Sequence, residues 1–196
     1  MQSYGGLKSE YDAVRGGVAF VDRSHNIRVK HSGEDALDLL HRITTNNLNS
    51  LGKSQARATV LTSAKGRVIE LLDVVRRADG TLLLLAGPAG QSKLIEWIDR
   101  FTIIEDSCLE NVTNETLQIT LFGPDADRLS TNVFGKELAG LGRGEVLETT
   151  LDSVPVDVIK PNGPNLPSIE VIVPVFGGAL VWCALVESGA TPAGME

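Results

Sequence analysis

The chain is poor in the residues that usually announce a catalytic centre. Its 196 residues include two cysteines and three histidines. Cys108 and Cys183 lie far apart, form no CxxC pair and have no histidine at zinc-ligand spacing, which removes zinc-finger and thioredoxin-type readings. No serine sits in a GxSxG elbow, and HExxH, a P-loop and a GxGxxG behind a strand are all missing. Hydrolase, metalloprotease and dinucleotide-binding readings therefore lack their parts. Positive charge is also short: 18 Lys and Arg stand against 25 Asp and Glu, a formal charge of -7. Such a surface repels nucleic-acid backbones, and clusters like Arg76-Arg77 are too short to form a binding stripe, so no direct nucleic-acid partner is expected. No apolar run reaches bilayer length, and "MQSYGGLKSEYDAVRGG" has no apolar signal region. The expectation is a cytoplasmic protein with no membrane partner, its cysteines read as buried, reduced thiols.

What is present is an ordinary globular composition, 42% hydrophobic and 22% charged, with clear periodicity. "GLKSEYDAVRGG" predicts a short helix stopped by glycine. "VAFVDRS" and "NIRVKHS" predict strands. In "SGEDALDLLHRI", Ala36, Leu39, Leu40 and Ile43 recur at helical spacing, with Ser32 as the expected cap. "ARATVLTS" and "RVIELLDVVRR" read as strands joined by the tight turn "SAKG", where Gly66 is free to take positive φ. "TLLLLA", the helix "QSKLIEWIDRF" and the strand "TIIEDS" follow. After the polar stretch "ENVTNET" the order recurs. "LQITLFG" is a strand and "PDADRLSTNVFG" a helix. "EVLETTL" and "VPVDVIK" are paired strands, "PNGPNLP" a loop, "SIEVIVP" a strand and "GGALVWCALVESG" a helix. "HSGEDALDLL" is echoed by "LFGPDADRLS", each placing glycine and then an acid–alanine pair after a strand. The predicted fold is α+β, with two related β-α-β-β-β-α units on antiparallel or mixed sheets. The units are expected over residues 1–110 and 111–196.

Candidate functional residues are polar groups on strands and turns. Thr45, Asn46 and Asn47 follow a helix, and serve either as a C-terminal cap or as amides presented to a ligand. Lys65 and Arg67 flank a turn, as a solvated hairpin tip or as ligand contacts. Glu70 and Asp73 interrupt the apolar "VIELLDVV" and, by alternation, face opposite sides. Glu170 is likewise a lone acid in "SIEVIVP". A carboxylate in such a strand reaches solvent at an edge or has partners. The alternatives are an edge acid and an acceptor for the N–H groups of a pterin-like ring.

Taken in order, "VDRSHNIRVKHSGEDALDLLHRITTNNLNSL", "LTSAKGRVIELLDVVRR", "LLLLAGPAGQSKLIEWIDRFTIIEDS" and "LFGPDA" resemble the folate-binding aminomethyltransferase superfamily. That superfamily includes the glycine-cleavage T-protein and the YgfZ-type iron–sulfur cluster assembly proteins. The resemblance runs from about Tyr11 to Glu196. Its most specific parts are Asp22-Arg23-Ser24, Gly33 to Ala36, the Leu-His-Arg…Thr-Asn block and Leu61 to Arg67. "SAKGRV" and "DRFTIIEDS" look closer to the YgfZ branch. Where T-proteins carry an Asp-Asp pair with a catalytic aspartate, Glu70 and Leu71 stand here. The resemblance implies a reduced folate, tetrahydrofolate, as cofactor. It gives Glu70 the catalytic position and places Glu170, Asn46, Lys65 and Arg67 along the folate site. It implies a role supporting iron–sulfur enzymes or tRNA modification, with iron–sulfur proteins as partners. Aminomethyl transfer to tetrahydrofolate and a non-catalytic interaction module are the alternative readings. The T-protein Gly-Tyr-Thr-Gly-Glu run has no counterpart in "NGPNLPS". The chain stops at "ALVESGATPAGME", before the family's C-terminal β-barrel domain. It is expected to build part of the folate channel wall, either as a piece of a longer protein or as a short natural relative.

Overall fold

The computed structural model describes residues 4–88, 91–162 and 168–194. The chain opens with helix α1 (Leu7–Gly16) and strand β1 (Ala19–Asp22). Next come β2 (Ile27–Ser32), α2 (Ala36–Ile43), β3 (Gln55–Thr62), β4 (Val68–Arg76), β5 (Leu82–Ala86), α3 (Gln91–Asp99) and β6 (Cys108–Asn111). A second run follows: β7 (Thr116–Phe122), α4 (Ala126–Phe134), β8 (Glu145–Leu151), β9 (Val154–Lys160), β10 (Ser168–Pro174), α5 (Gly178–Glu187) and β11 (Thr191–Pro192). The fold is mixed α+β. Among the described residues no helix is long and apolar enough to cross a membrane.

Two compact units result, one continuous (His25–Asn114) and one discontinuous (Met1–Ser24 with Glu115–Glu196). The sequence reading placed residues 1–110 in one unit. Backbone pairing assigns residues up to Ser24 to the other, because β1 is hydrogen-bonded antiparallel to β7 and parallel to β11. In the continuous unit the strand order is β3-β4-β5-β2-β6, all neighbours antiparallel. In the discontinuous unit it is β8-β9-β10-β7-β1-β11, with β1–β11 the parallel pair.

In each unit one face of the strands packs against the helices, and residues of the opposite face, Val75, Leu83, Ile159 and Ile172 among them, are buried as well. In the continuous unit Val29, Leu61, Leu72 and Leu84 pack with Leu39 and Leu40 of α2 and Leu94 of α3, the helical spacing read from the sequence. In the discontinuous unit Phe20, Ile119, Leu121, Val158 and Val171 pack with Leu129 of α4 and Val181 of α5. A fully buried leucine of this kind contributes about 2 kcal/mol.

The echo between the two halves is structural. Gly33 and Gly123 each follow a strand, at φ 120° and 126°, and each presses against a passing backbone. A Cβ on Gly33 would lie 2.1 Å from the Asp106 carbonyl oxygen, and one on Gly123 2.2 Å from that of Gly17. Two residues on, the amide of Asp35 donates to Asp106 O, and that of Asp125 to Gly17 O. One joint between a strand end and a helix start is thus used twice, and only glycine fits it.

Three local expectations are corrected. Ser32 belongs to β2 and does not cap α2. Asp35 precedes the helix, and its carboxylate instead accepts from the amide of Asp106 at 2.8 Å. "TIIEDS" is not a strand. The Glu105 carboxylate gathers the amides of Ile103 and Ile104 at 2.8 and 3.0 Å, which turns the segment back before β6 and leaves both isoleucines exposed. Cys108 and Cys183 are exposed thiols rather than buried ones. The "PNGPNLP" loop falls largely on residues outside those described.

Candidate functional site

β4 runs between β3 and β5, so its acids are not edge residues. Leu72 and Val74 belong to the buried core. Glu70 lies on their side of the strand, directly opposite the core residue Leu61. Its Oε1 accepts from the Leu71 amide at 3.2 Å and lies close beside Gly87. Asp73 points the other way, paired with Ala58 on β3 and Leu85 on β5. Leu71 shares that second face and is 60% exposed. Asp73 is exposed, yet protein packs closely enough round its carboxyl for desolvation to raise its pKa above the usual carboxylate value. It has no hydrogen-bond or ion-pair partner among the described residues. The sequence alternation had put Glu70 and Asp73 on opposite faces, and the structure does so.

The turn between β3 and β4 is closed by its own backbone. Gly66 at φ 70° donates to Ser63 O at 2.8 Å, and the Arg67 amide donates to Ser63 Oγ at 3.1 Å. Lys65 and Arg67 are both exposed on it. Asn46 is not a left-handed helix cap. The chain after α2 runs beside β3, bonded from Thr45 N to Val60 O. Asn46 then ties itself down, its Nδ2 donating to Ala58 O at 2.8 Å and its Oδ1 accepting from Asn47 N. Asn46 therefore contacts the residue directly opposite Asp73. Within the continuous unit the structure gathers Asn46 and Asp73 round one stretch of β3–β4, leaves Lys65 and Arg67 at the turn, and turns Glu70 to the other side.

Glu170, in the discontinuous unit, is also no edge acid, because β10 lies between β7 and β9. Its carboxylate accepts from Thr120 Oγ1 at 2.9 Å and from Gln118 Nε2 at 3.0 Å. Thr120 and Gln118 are 1% and 4% exposed, and the Gln118 Oε1 has no partner among the described residues. Sequence reasoning missed both side chains. The available signal was two polar residues alternating with apolar ones in "LQITLFG". Among the described residues no group of three or more His, Cys, Asp and Glu is placed to hold a metal ion.

The GCVT N-terminal domain family matches residues 2–196. The chain belongs to that family. It is 31% identical over 192 residues to an aminomethyltransferase of Rubrobacter xylanophilus, covering 98% of this chain and 51% of that protein. It is 26% identical over 191 residues to an aminomethyltransferase of Bacillus cereus, covering 95% of this chain and 51% of that one. The chain thus spans about half the length of the curated relatives it matches. In structure it is similar to glycine cleavage system aminomethyltransferase T from Bartonella henselae, with a TM-score of 0.85 at 16% identity, covering 98% of this chain and 52% of that one. A chain of the heterotetrameric sarcosine oxidase of Corynebacterium sp. U-96 shares the fold at a TM-score of 0.67 and 14% identity, with 92% and 89% covered.

Proposed function

We propose that the protein is a tetrahydrofolate-binding member of the GCVT family, of the YgfZ type, supporting iron–sulfur enzyme assembly or tRNA modification. The observation that carries this reading is Leu71. It is exposed at the position where the T-protein branch has the second aspartate of its pair. A binding face without that acid fits a protein that holds folate without running the T-protein reaction.

The donor and acceptor inventory fits a reduced folate. A pterin ring presents a row of N–H donors. The chain offers acceptors in Glu170, oriented by Thr120 and Gln118, and in the unpartnered Gln118 Oε1. When bound, a reduced folate supplies a carrier for a one-carbon unit. The residues of this chain bind and orient it.

Calorimetric titration of the chain with tetrahydrofolate tests the reading, with Glu170→Ala as the control. Saturable binding that the variant loses supports it, and a folded chain that does not bind overturns it. Because Glu170→Ala also strips Thr120 and Gln118 of their acceptor, Glu170→Gln is measured beside it as the isosteric variant.

Aminomethyl transfer to tetrahydrofolate is the second reading, favoured by the name of the 31% identical relative. Glu70 is then the acid that positions or protonates the reacting nitrogen. Aminomethyl turnover unchanged by Glu70→Gln would discard it.

A further inference from the structure

Ile103 and Ile104 are the most exposed large apolar side chains among the described residues, at 84% and 92%. Fraying does not account for them, because the loop that carries them is tied down. The Glu105 carboxylate accepts from both of their amides, and Arg42 holds that carboxylate at 2.9 Å while pairing with Asp38 at 3.0 Å. At one end the loop leaves α3 through Thr102 N, which donates to Asp99 O at 3.0 Å. At the other end Asp106 is bonded to the residues before α2. Its amide donates to the Asp35 carboxylate at 2.8 Å, and its carboxylate accepts from Glu34 N at 3.0 Å. Phe101, also exposed, extends the apolar surface towards Trp97, with ring centroids 5.9 Å apart. A fastened loop that keeps its apolar side chains in water is the signature of a contact site rather than of loose packing.

The rim is acidic. The same contacts bring Glu34, Asp35, Asp38, Asp99, Glu105 and Asp106 round the loop. The neighbouring arginines are engaged: Arg42 with Asp38 and Glu105, and Arg100 over the Trp97 ring at 5.3 Å. A two-fold contact with a second copy would set this rim against itself, which like charge disfavours. We propose that the loop is a docking point for a basic amphipathic segment of another protein. Its apolar side chains cover Phe101, Ile103 and Ile104, while flanking Lys or Arg residues meet the acidic rim. The apolar contact is the anchor, and the rim steers and orients the segment. The surface lies within the continuous unit and uses none of the residues assigned to folate, so it stands independently of that reading.

The probe is a fluorescent peptide of leucine and lysine at helical spacing, titrated with the whole 196-residue chain and followed by anisotropy. The same peptide with glutamate in place of lysine is measured beside it. The expected result is saturable binding of the lysine peptide that weakens with salt. The double variant Ile103→Ser, Ile104→Ser should lose about tenfold or more in affinity, and Phe176→Ser, an exposed apolar site in the other unit, should lose none. Wild-type affinity in the double variant, or an equal loss in Phe176→Ser, overturns the proposal. So does a lysine peptide that fails to bind, or a glutamate peptide that binds as well. Sedimentation of the chain alone tests the other occupant: a wild-type dimer abolished in the double variant assigns the surface to a second copy and overturns the proposal. Should the double variant fail to fold, Arg42→Ala decides. It makes the rim more acidic while releasing Glu105, so charge alone predicts tighter binding and presentation by the clasp predicts weaker. Weaker binding supports the proposal, and equal or tighter binding overturns it.

Discussion

Glu70 and Asp73 stand three residues apart on β4 and face opposite sides of its sheet, one opposite Leu61 and the other opposite Ala58. One strand therefore carries one acid on its core side and one on the opposite, apolar face. Packing round Asp73 raises its pKa, so its charge works against folding. Asp73→Asn is expected to raise stability at pH 7. A group whose folded pKa lies above its unfolded value costs stability while ionised and ceases to do so once protonated. The gain should therefore shrink as the pH falls through the carboxylate range. Urea midpoints of both proteins across that range measure it, and a gain that persists in acid would contradict the cause given.

His31 in β2 has no exposed surface. Its Nε2 lies 2.8 Å from Ser107 Oγ, and its Nδ1 has no partner among the described residues. Burial lowers its pKa from 6.5 to about 4. The unfolded chain takes a proton near 6.5 while the native chain refuses it, so the contribution is whole above that pH. It drains away as the pH falls towards about 4 and changes no further below. Linkage puts the loss at about 3 kcal/mol. The difference between wild-type and His31→Leu unfolding free energies, followed from pH 7 to 4, should trace this curve, and a flat difference would refute it.

Gly33→Ala and Gly123→Ala should each destabilise by about 3 kcal/mol, because strained φ and a backbone clash act together. Gly66 has positive φ but nothing within 4 Å of an added Cβ, so Gly66→Ala should cost about 1 kcal/mol. Three thermal unfolding curves settle the ranking. Equal losses at all three sites would mean that backbone conformation alone matters.

Arg42 and Glu105 hold the loop after α3. The Glu105 carboxyl is drawn down to about 2, first by the Arg42 side chain and then by the amides of Ile103 and Ile104. Such a group stabilises the folded loop above the ordinary carboxylate pKa and lets go as the pH falls towards its lowered value. Arg42→Ala should speed hydrogen exchange at Ile103 and Ile104 at neutral pH while leaving the β4 amides unchanged. Protection unaltered at the two isoleucines would show that the loop holds itself.

How much of this was legible depends on how local the cause is. α2 could be read from Ala36, Leu39 and Leu40 because helical spacing is written within eight residues. The opposed faces of Glu70 and Asp73 followed from strand alternation for the same reason. The segment before β6 was misread because its cause is distant: Glu105 answers to Arg42, and Asp106 to Asp35. Residues 19–22 read correctly as a strand, but their partner β7 lies nearly a hundred residues on and left no mark nearby. Glu170 was visible as an odd acid, whereas Thr120 and Gln118, which hold it, come some fifty residues earlier. Both cysteines were misjudged because an apolar neighbourhood in sequence says little about which side of an element faces out.

The pairing of β3 with β4 slips between Leu61 and Thr62: Leu61 meets Glu70 and Thr62 meets Val68, so Ile69 has no residue opposite. That slip gives the hairpin slack. A residue gained or lost at the Ser63–Arg67 tip can be taken up there before it reaches Leu71, Leu72 and Asp73. The tip is free to drift in length and charge while the reading frame of the strand beyond it stays fixed. Homologous chains would then be expected to differ most at the tip and least in the inside–outside order of the residues after it.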